Sequence, residues 1–375
     1  MKNRTLTVLG ISALTTTFIL SGVAVPAGAT SPSPIKIALE APLSGSQGAN
    51  GQDMLRGARL AARQINASGG VLGRKIQIIA IDDEANPKKA GSAVKKAIKE
   101  QVVAVVGPYN SAVGVKNLPT YVKNKIFPMR MTSAITTEGF GATTQPMESQ
   151  IAPVEINYIV ATGVTSVAML VDPSDYTATI AEQTKAGLIA QGIAVTEISI
   201  EEGQASYTQQ ITQALATGPG MIYSSTYYPE GSTIAKDLAT INTTATCFMG
   251  LANVDPAFVQ QAGISAAQNC IFSGVAAAPQ LPTAKKYTQA YVKAFNKRPG
   301  VWGTFTYDSV KVLAAAMEKS GSVRYAPLRK AVFATKNFSG ATGTIAFQRG
   351  TGNRVTVPVE ILTVNDRGVF VISQQ

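Results

Sequence analysis

The feature that most constrains this chain is the repeated alternation of short β-branched apolar runs with longer amphipathic stretches, and its first instance shows the pattern in full. Ile35 to Ala41 is a strand signal, the small-residue loop Pro42 to Gly51 follows, and a helical pattern then begins. Met54, Ala58, Ala61, Ala62 and Ile65 fall on one face of that helix, opposite Gln52, Arg56, Arg59 and Arg63. Asn66-Ala67-Ser68-Gly69-Gly70 stops it, and Lys75 to Ile81 resumes as a strand. Further strand signals stand at Val102 to Val106, Phe127 to Met131, Ser166 to Val171, Ala194 to Ile200 and Met221 to Ser224. Helical patterns accompany them at Ser111 to Lys123, Thr179 to Gln191, Tyr207 to Ala216 and Gly231 to Ile241. Such alternation predicts an α/β protein with parallel sheets covered by helices on both faces. Open sheets of this kind take ligands in the loops at the carboxyl ends of their strands.

The amino terminus reads as a secretory leader: Lys2 and Arg4, an apolar stretch from Leu6 to Val25, then Ala27-Gly28-Ala29 before a Ser/Pro linker. Residues 1–29 are expected to be removed after Ala29, giving an exported, periplasmic protein; with no Cys near that point a lipid anchor is not expected. Removing 29 of 375 residues leaves 346, enough for two domains. The chain carries 33 basic and 22 acidic residues; without the leader's Lys2 and Arg4 the excess is +9. Lys88, Lys89, Lys95, Lys96 and Lys99 lie along a helical face without interleaved aromatics, which reads as solvated helix surface and not as a nucleic-acid site. Histidine is absent, which excludes most hydrolytic triads and zinc sites. No metal and no cofactor are expected.

The chain shifts near Gln150 to Val154, where a fresh series of βα units starts, and again at the Ala/Pro-rich Ala276 to Pro282, which leads into helical patterns at Thr283 to Phe295 and Thr306 to Lys319. Thr356 to Ile372 reads as two strands joined by the turn Asn365-Asp366-Arg367-Gly368.

The runs PLSG, DMLRGARLAARQINASGGVLGRKIQIIAIDDEANP, VVGPYNS, SVAMLVDPSDY, YYPEG, FMG and FTYDSVKVL resemble the type I periplasmic binding proteins, in particular the leucine/isoleucine/valine-binding branch that feeds ABC transporters. The resemblance covers nearly the whole chain after the leader. It implies two Rossmann-like lobes joined by a hinge, residues 30–150 with 275–345 and residues 151–274 with 346–375, closing on an amino acid or close analogue. The implied partners are a permease and an ATPase, the protein itself being a monomer. Ser111 and Ser133 fall on carboxylate-binding positions, in the loops that also hold Tyr109, Asn110, Ala134 and Ile135; the alternative for each is a helix cap, which at Ser111 ranks behind binding and at Ser133 stands level with it, and the two roles can coexist. Tyr176 and Tyr227, after two strands of the second lobe, match positions lining the cleft. Cys247 and Cys270 stand at the starts of short strands that this architecture makes neighbours, which favours a disulfide over two thiols.

Three positions depart from the family pattern. Leu251-Ala252-Asn253 replaces the Glu that holds the ligand's ammonium after FMG, Ile135 stands where Thr is usual, and Asn50 where an aromatic covers the ligand. A buried ammonium without an anion is costly. Either another acid substitutes, with Glu40 and Asp255 the candidates, or the ligand is not a simple α-amino acid. Glu40 has a second reading as the partner of Arg130 in a buried pair, and Asp255 as the cap of the helix begun by Pro256. The alternatives in function are a ligand-sensing subunit for amides, urea or aromatic acids on the same fold and, least favoured, an exported enzyme.

Overall fold

A computed structural model describes Met1 and residues 32–374, so the expected leader and its cleavage point lie outside the described residues. Two parallel-rich sheets organise the rest. The first has the order β2-β1-β3-β4, from Ile35–Ala41 (β1), Ile76–Asp82 (β2), Ala104–Val106 (β3) and Phe127–Met129 (β4), all parallel. The second comprises Ser166–Val171 (β5), Ala194–Ser199 (β6), Met221–Ser225 (β7), Thr246–Met249 (β8) and Cys270–Gly274 (β9). Its edge is completed by Glu360–Val364 (β12) and Phe370–Ile372 (β13), which run antiparallel, in the order β13-β12-β9-β8-β7-β5-β6. A separate hairpin pairs Phe338–Gly340 (β10) with Gly343–Ile345 (β11). The last two strands of the second sheet are the expected tail hairpin, turning at Asn365 to Gly368.

Alternation sorts the side chains of β1 to opposite faces of the first sheet. Ile37 and Leu39 join Met54, Ala58 and Ala61 of Gly48–Ala67 (α1), whereas Ala38 joins Ala93, Val94 and Ala97 of Ala90–Lys99 (α2) and Tyr121 of Ser111–Lys123 (α3). After β9 the chain returns to the first sheet through Lys285–Phe295 (α10) and Trp302–Ser320 (α11), followed by Tyr325–Phe333 (α12). Helix α11 lies so close to α1 that a Cβ on Gly57 would stand 1.9 Å from the Gly303 carbonyl oxygen; only glycine permits that approach. Asp53 fastens the same contact, accepting hydrogen bonds from Tyr291 Oη at 2.7 Å, Gly300 N at 3.0 Å and Gly303 N at 2.6 Å. The second sheet is covered by Glu148–Ala161 (α4), Asp175–Ala190 (α5), Thr208–Leu215 (α6), Tyr228–Leu238 (α7), Pro256–Ala262 (α8) and Ile264–Gln268 (α9). Cys247 and Cys270 are directly opposite in the β8/β9 ladder and joined as a disulfide. Among the described residues no helix is long and apolar enough to cross a membrane.

Candidate functional site

Strand order reverses between β1 and β3 in the first sheet and between β5 and β7 in the second, the switch points at which open α/β sheets leave a crevice. Residues following β3, β4, β5, β7 and β8 meet around one pocket. Tyr109, Ser111, Met131, Ser133 and Gln145 line it from one side, Tyr176, Tyr227, Leu251 and Ala252 from the other, and Trp302 at the start of α11 closes it. Its empty volume, counted to the mouth, is ≈ 240 Å³.

Gly107 sets up the first-lobe wall. Its φ is +119°, and a Cβ there would meet the Glu40 carbonyl oxygen at 2.0 Å, so only glycine lets β3 turn sharply into Tyr109-Asn110-Ser111. The two serines then have different hydrogen-bonding states. Ser111 Oγ accepts from Ala134 N at 3.3 Å, which leaves its hydroxyl hydrogen uncommitted beside the first turn of α3, where a helix has unpaired N–H groups. Ser133 Oγ donates to the Pro146 carbonyl at 2.6 Å and accepts from Gln145 Nε2 at 2.9 Å, so its single hydrogen is already used. Gln145 Nε2 also donates to the Met131 carbonyl, which can only accept; this fixes the amide orientation. Gln145 Oε1 is thereby left buried without a partner on a side chain that lines the cavity.

The aromatic wall is continuous. Tyr109 lies 5.5 Å from Trp302 and 6.2 Å from Tyr227, centroid to centroid, and Tyr227 lies 6.1 Å from Tyr176. Burial holds the hydroxyls of Tyr109, Tyr176 and Tyr227 well above their ordinary titration range, so all three are neutral. No carboxylate and no cation lines the cavity.

Several expected residues stand elsewhere. Glu40 faces α3 instead of the cleft, accepting from Asn117 Nδ2 and from Tyr121 Oη at 2.6 Å, and burial with the nearby Asp83 pushes its carboxyl up to about 8. It neither lines the cavity nor pairs with Arg130, whose guanidinium donates to Asn353 Oδ1 and Thr132 O and contacts Met147 Sδ. Two neutral donors on α3 satisfy the carboxyl, so the cation has no role there. Asp255 caps α8, accepting from Ala257 N at 2.7 Å, and is absent from the cavity lining. Ile135 is half exposed and outside the lining; its N–H donates to Glu148 Oε1 at 2.6 Å. Asn253 braces the backbone of Thr226 and Gly250. Asn50 reaches Tyr109 Oη at 3.5 Å and supports that ring from behind, while Asn110 bonds Gln47 and faces the outer mouth with Glu84, Asp175 and Glu202. Ala134 contributes only its N–H to Ser111.

Sequence reasoning missed Trp302, Gln145, Met131 and Leu251. Trp302 is the chain's single tryptophan and lies four residues before the expected helix start at Thr306, which was a usable signal. Gln145 gave none, because its importance comes from which of its amide atoms is left over. Among the described residues no group of three or more His, Cys, Asp or Glu could hold a metal ion.

Two lobes meeting at the carboxyl ends of their strands around a small, uncharged, ring-walled cavity define a solute-binding protein. A family model described as periplasmic binding protein matches residues 34–368, and the chain belongs to that family, which is one of binding proteins and not of enzymes. The Leu/Ile/Val-binding protein BraC3 of Rhizobium johnstonii is 30% identical over 297 residues, covering 77% of this chain and 80% of the relative. The branched-chain amino acid transporter substrate binding protein LivJ from Streptococcus pneumoniae, solved with isoleucine, matches with a TM-score of 0.81 at 23% identity, covering 91% of this chain and 100% of that one. A solute binding protein of an ABC transporter from Rhodopseudomonas palustris BisB5, solved with 3,4-dihydroxy benzoic acid, also matches with a TM-score of 0.81, at 18% identity over 91% of this chain and 96% of that one. At these identities the two structures establish the shared type I fold.

Proposed function

We propose that this protein is the extracytoplasmic solute-binding component of an ABC transporter and captures an amino acid or close analogue between its lobes, residues 30–150 with 275–345 and residues 151–274 with 346–375. The observation that carries this is the pairing, on one cavity wall, of a free hydroxyl donor at Ser111 with an unpartnered acceptor at Gln145 Oε1. A carboxylate needs the donor and an ammonium needs the acceptor. The side chain of the solute then packs on Tyr109, Tyr176, Tyr227 and Trp302. The relation to Leu/Ile/Val-binding proteins supports the same solute class and a periplasmic location. Delivery to the permease follows hinge opening and involves no covalent chemistry.

A second reading is favoured by one specific feature: four aromatic rings and no acid around the cavity suit an aromatic carboxylate that has no ammonium to neutralise. A thermal-shift screen of ligand-stripped protein decides between them, since a solute that binds only the folded state raises the midpoint. Shifts with α-amino acids support the first reading. Shifts confined to benzoate-type acids sink it in favour of the second.

A further inference from the structure

Charge is divided between the stretches of chain that carry the two sheets far more unevenly than the overall excess suggests. Residues 33–147 and 275–355, which carry the first sheet and its helices, hold 28 Lys and Arg against 9 Asp and Glu, a net +19. Residues 148–274 and 356–374, which carry the second sheet, hold 3 against 13, a net −10. The positive charge is densest on one flank. Helices α2 and α3 pack side by side on the same face of the first sheet; they expose Lys95, Lys96, Lys99, Lys116 and Lys123, and the residues just outside them add Lys88 and Lys125. Lys96 Nζ reaches the Ala80 carbonyl at 2.8 Å and Lys125 lies over the Tyr325 ring; Lys96 and Lys99 also feel the charge of Glu100, whose direct ion pair is with Lys36. Of the acids beside this flank, Glu84 and the half-buried Glu100 are paired with Lys89 and Lys36, and the exposed Asp82 is held by Ser44 and by the backbone of Leu43, Ser44 and Glu84. Two large apolar side chains stand out among the lysines: Ile98 is 41% exposed and Val115 38%.

We infer that the α2–α3 flank docks on an anionic phospholipid surface, an interaction separate from solute capture. A cluster of four to eight Lys and Arg is what anionic headgroups attract. Apolar side chains interspersed with the cations fit an interface with acyl chains beneath the charge better than a purely acidic protein partner. The acidic lobe is repelled by the same surface, which gives the docked molecule a preferred orientation.

The test is flotation of full-length mature protein with vesicles of phosphatidylglycerol and phosphatidylcholine, and of phosphatidylcholine alone. Binding to the anionic vesicles only, lost at high salt, is expected. Lys95→Glu/Lys99→Glu/Lys123→Glu should weaken it at least tenfold, while the control Lys285→Glu/Lys293→Glu/Lys297→Glu, with the same change in net charge on α10 and just beyond its end, should retain most of it. Circular dichroism and the thermal midpoint verify that both triple variants are folded. Ile98→Ser should weaken vesicle binding severalfold without altering binding to soluble polyglutamate. Equal loss in both triple variants would show that net charge alone drives the association and overturn the proposal, as would absence of binding by the unaltered protein. Indifference to Ile98→Ser would reassign the flank to an acidic protein, and flank-dependent self-association at low salt would reassign it to a second copy of this chain.

Discussion

Tyr228 Oη donates a hydrogen bond of 2.6 Å to the carbonyl oxygen of Ser46, joining the start of α7 to the loop that follows β1. It ties the second lobe to the first at the rim of the cleft, outside the residues that line the cavity. If the lobes close on the solute as proposed, this bond favours the closed arrangement without touching the solute. Tyr228→Phe should weaken solute affinity between about twofold and about tenfold, the worth of one neutral hydrogen bond of about 0.5–1.5 kcal/mol. Calorimetric titration measures the loss. An equal fall in the melting temperature of the empty protein would instead show that the bond holds the fold.

The two serines should separate cleanly. Ser111→Ala removes a donor to a charged group and should cost about 1.5–3 kcal/mol of binding, with the solute-free melting temperature nearly unchanged. Ser133→Ala removes the partner of Pro146 O and Gln145 Nε2 and should lower that melting temperature. Measuring affinity and melting for both variants checks the assignment; a reversed pattern would exchange their roles.

Gln145 is tested by a ratio. For an α-amino acid and its deaminated counterpart, Gln145→Met should reduce the preference for the former about tenfold or more, because it removes the acceptor facing the ammonium. The ratio is insensitive to any general loss of stability caused by unpairing Met131 O. An unchanged ratio would remove Gln145 from solute recognition.

Glu40 predicts a pH dependence of stability. Its carboxyl is pushed from an ordinary 4.5 up to about 8 by burial and by Asp83, so the folded state holds the proton more tightly than the unfolded chain does. The associated stability is fully present below about pH 4.5 and is lost as pH rises through about 8. Melting curves across that window should fall with pH, and Glu40→Gln should flatten the slope while leaving solute affinity unchanged. A fall in affinity would return Glu40 to the list of solute contacts.

Much of the fold could be read from the sequence because burial and periodicity specify it locally. Ile35–Ala41, Ser166–Val171 and Ser111–Lys123 occupy the expected residues, since their apolar patterns match the faces they bury. Starts were less legible: α5 begins at Asp175 and not at Thr179, because Asp172 and Ser174 arrange a polar turn that draws the helix back. At the site, position relative to strand ends identified Tyr109, Ser111, Tyr176 and Tyr227, all of which line the cavity. Of the two readings given to Asp255 the capping one holds, while neither reading of Glu40 does, and the reason is common to both. A carboxyl's usefulness depends on which neighbours claim its oxygens, and Asn117, Tyr121 and Ala257 N, which do so here, are specified only by the packed structure.

The uncharged cavity wall has a diagnostic consequence. With its tyrosines held neutral and its other lining residues unable to titrate, nothing on the protein's side of the contact changes protonation across the range of pH a cell surface meets. A bend in a plot of affinity against acidity then has two sources, the bound molecule itself and the buried Asp255, whose carboxyl is raised to about 7 and whose charge acts on the wall tyrosine Tyr109.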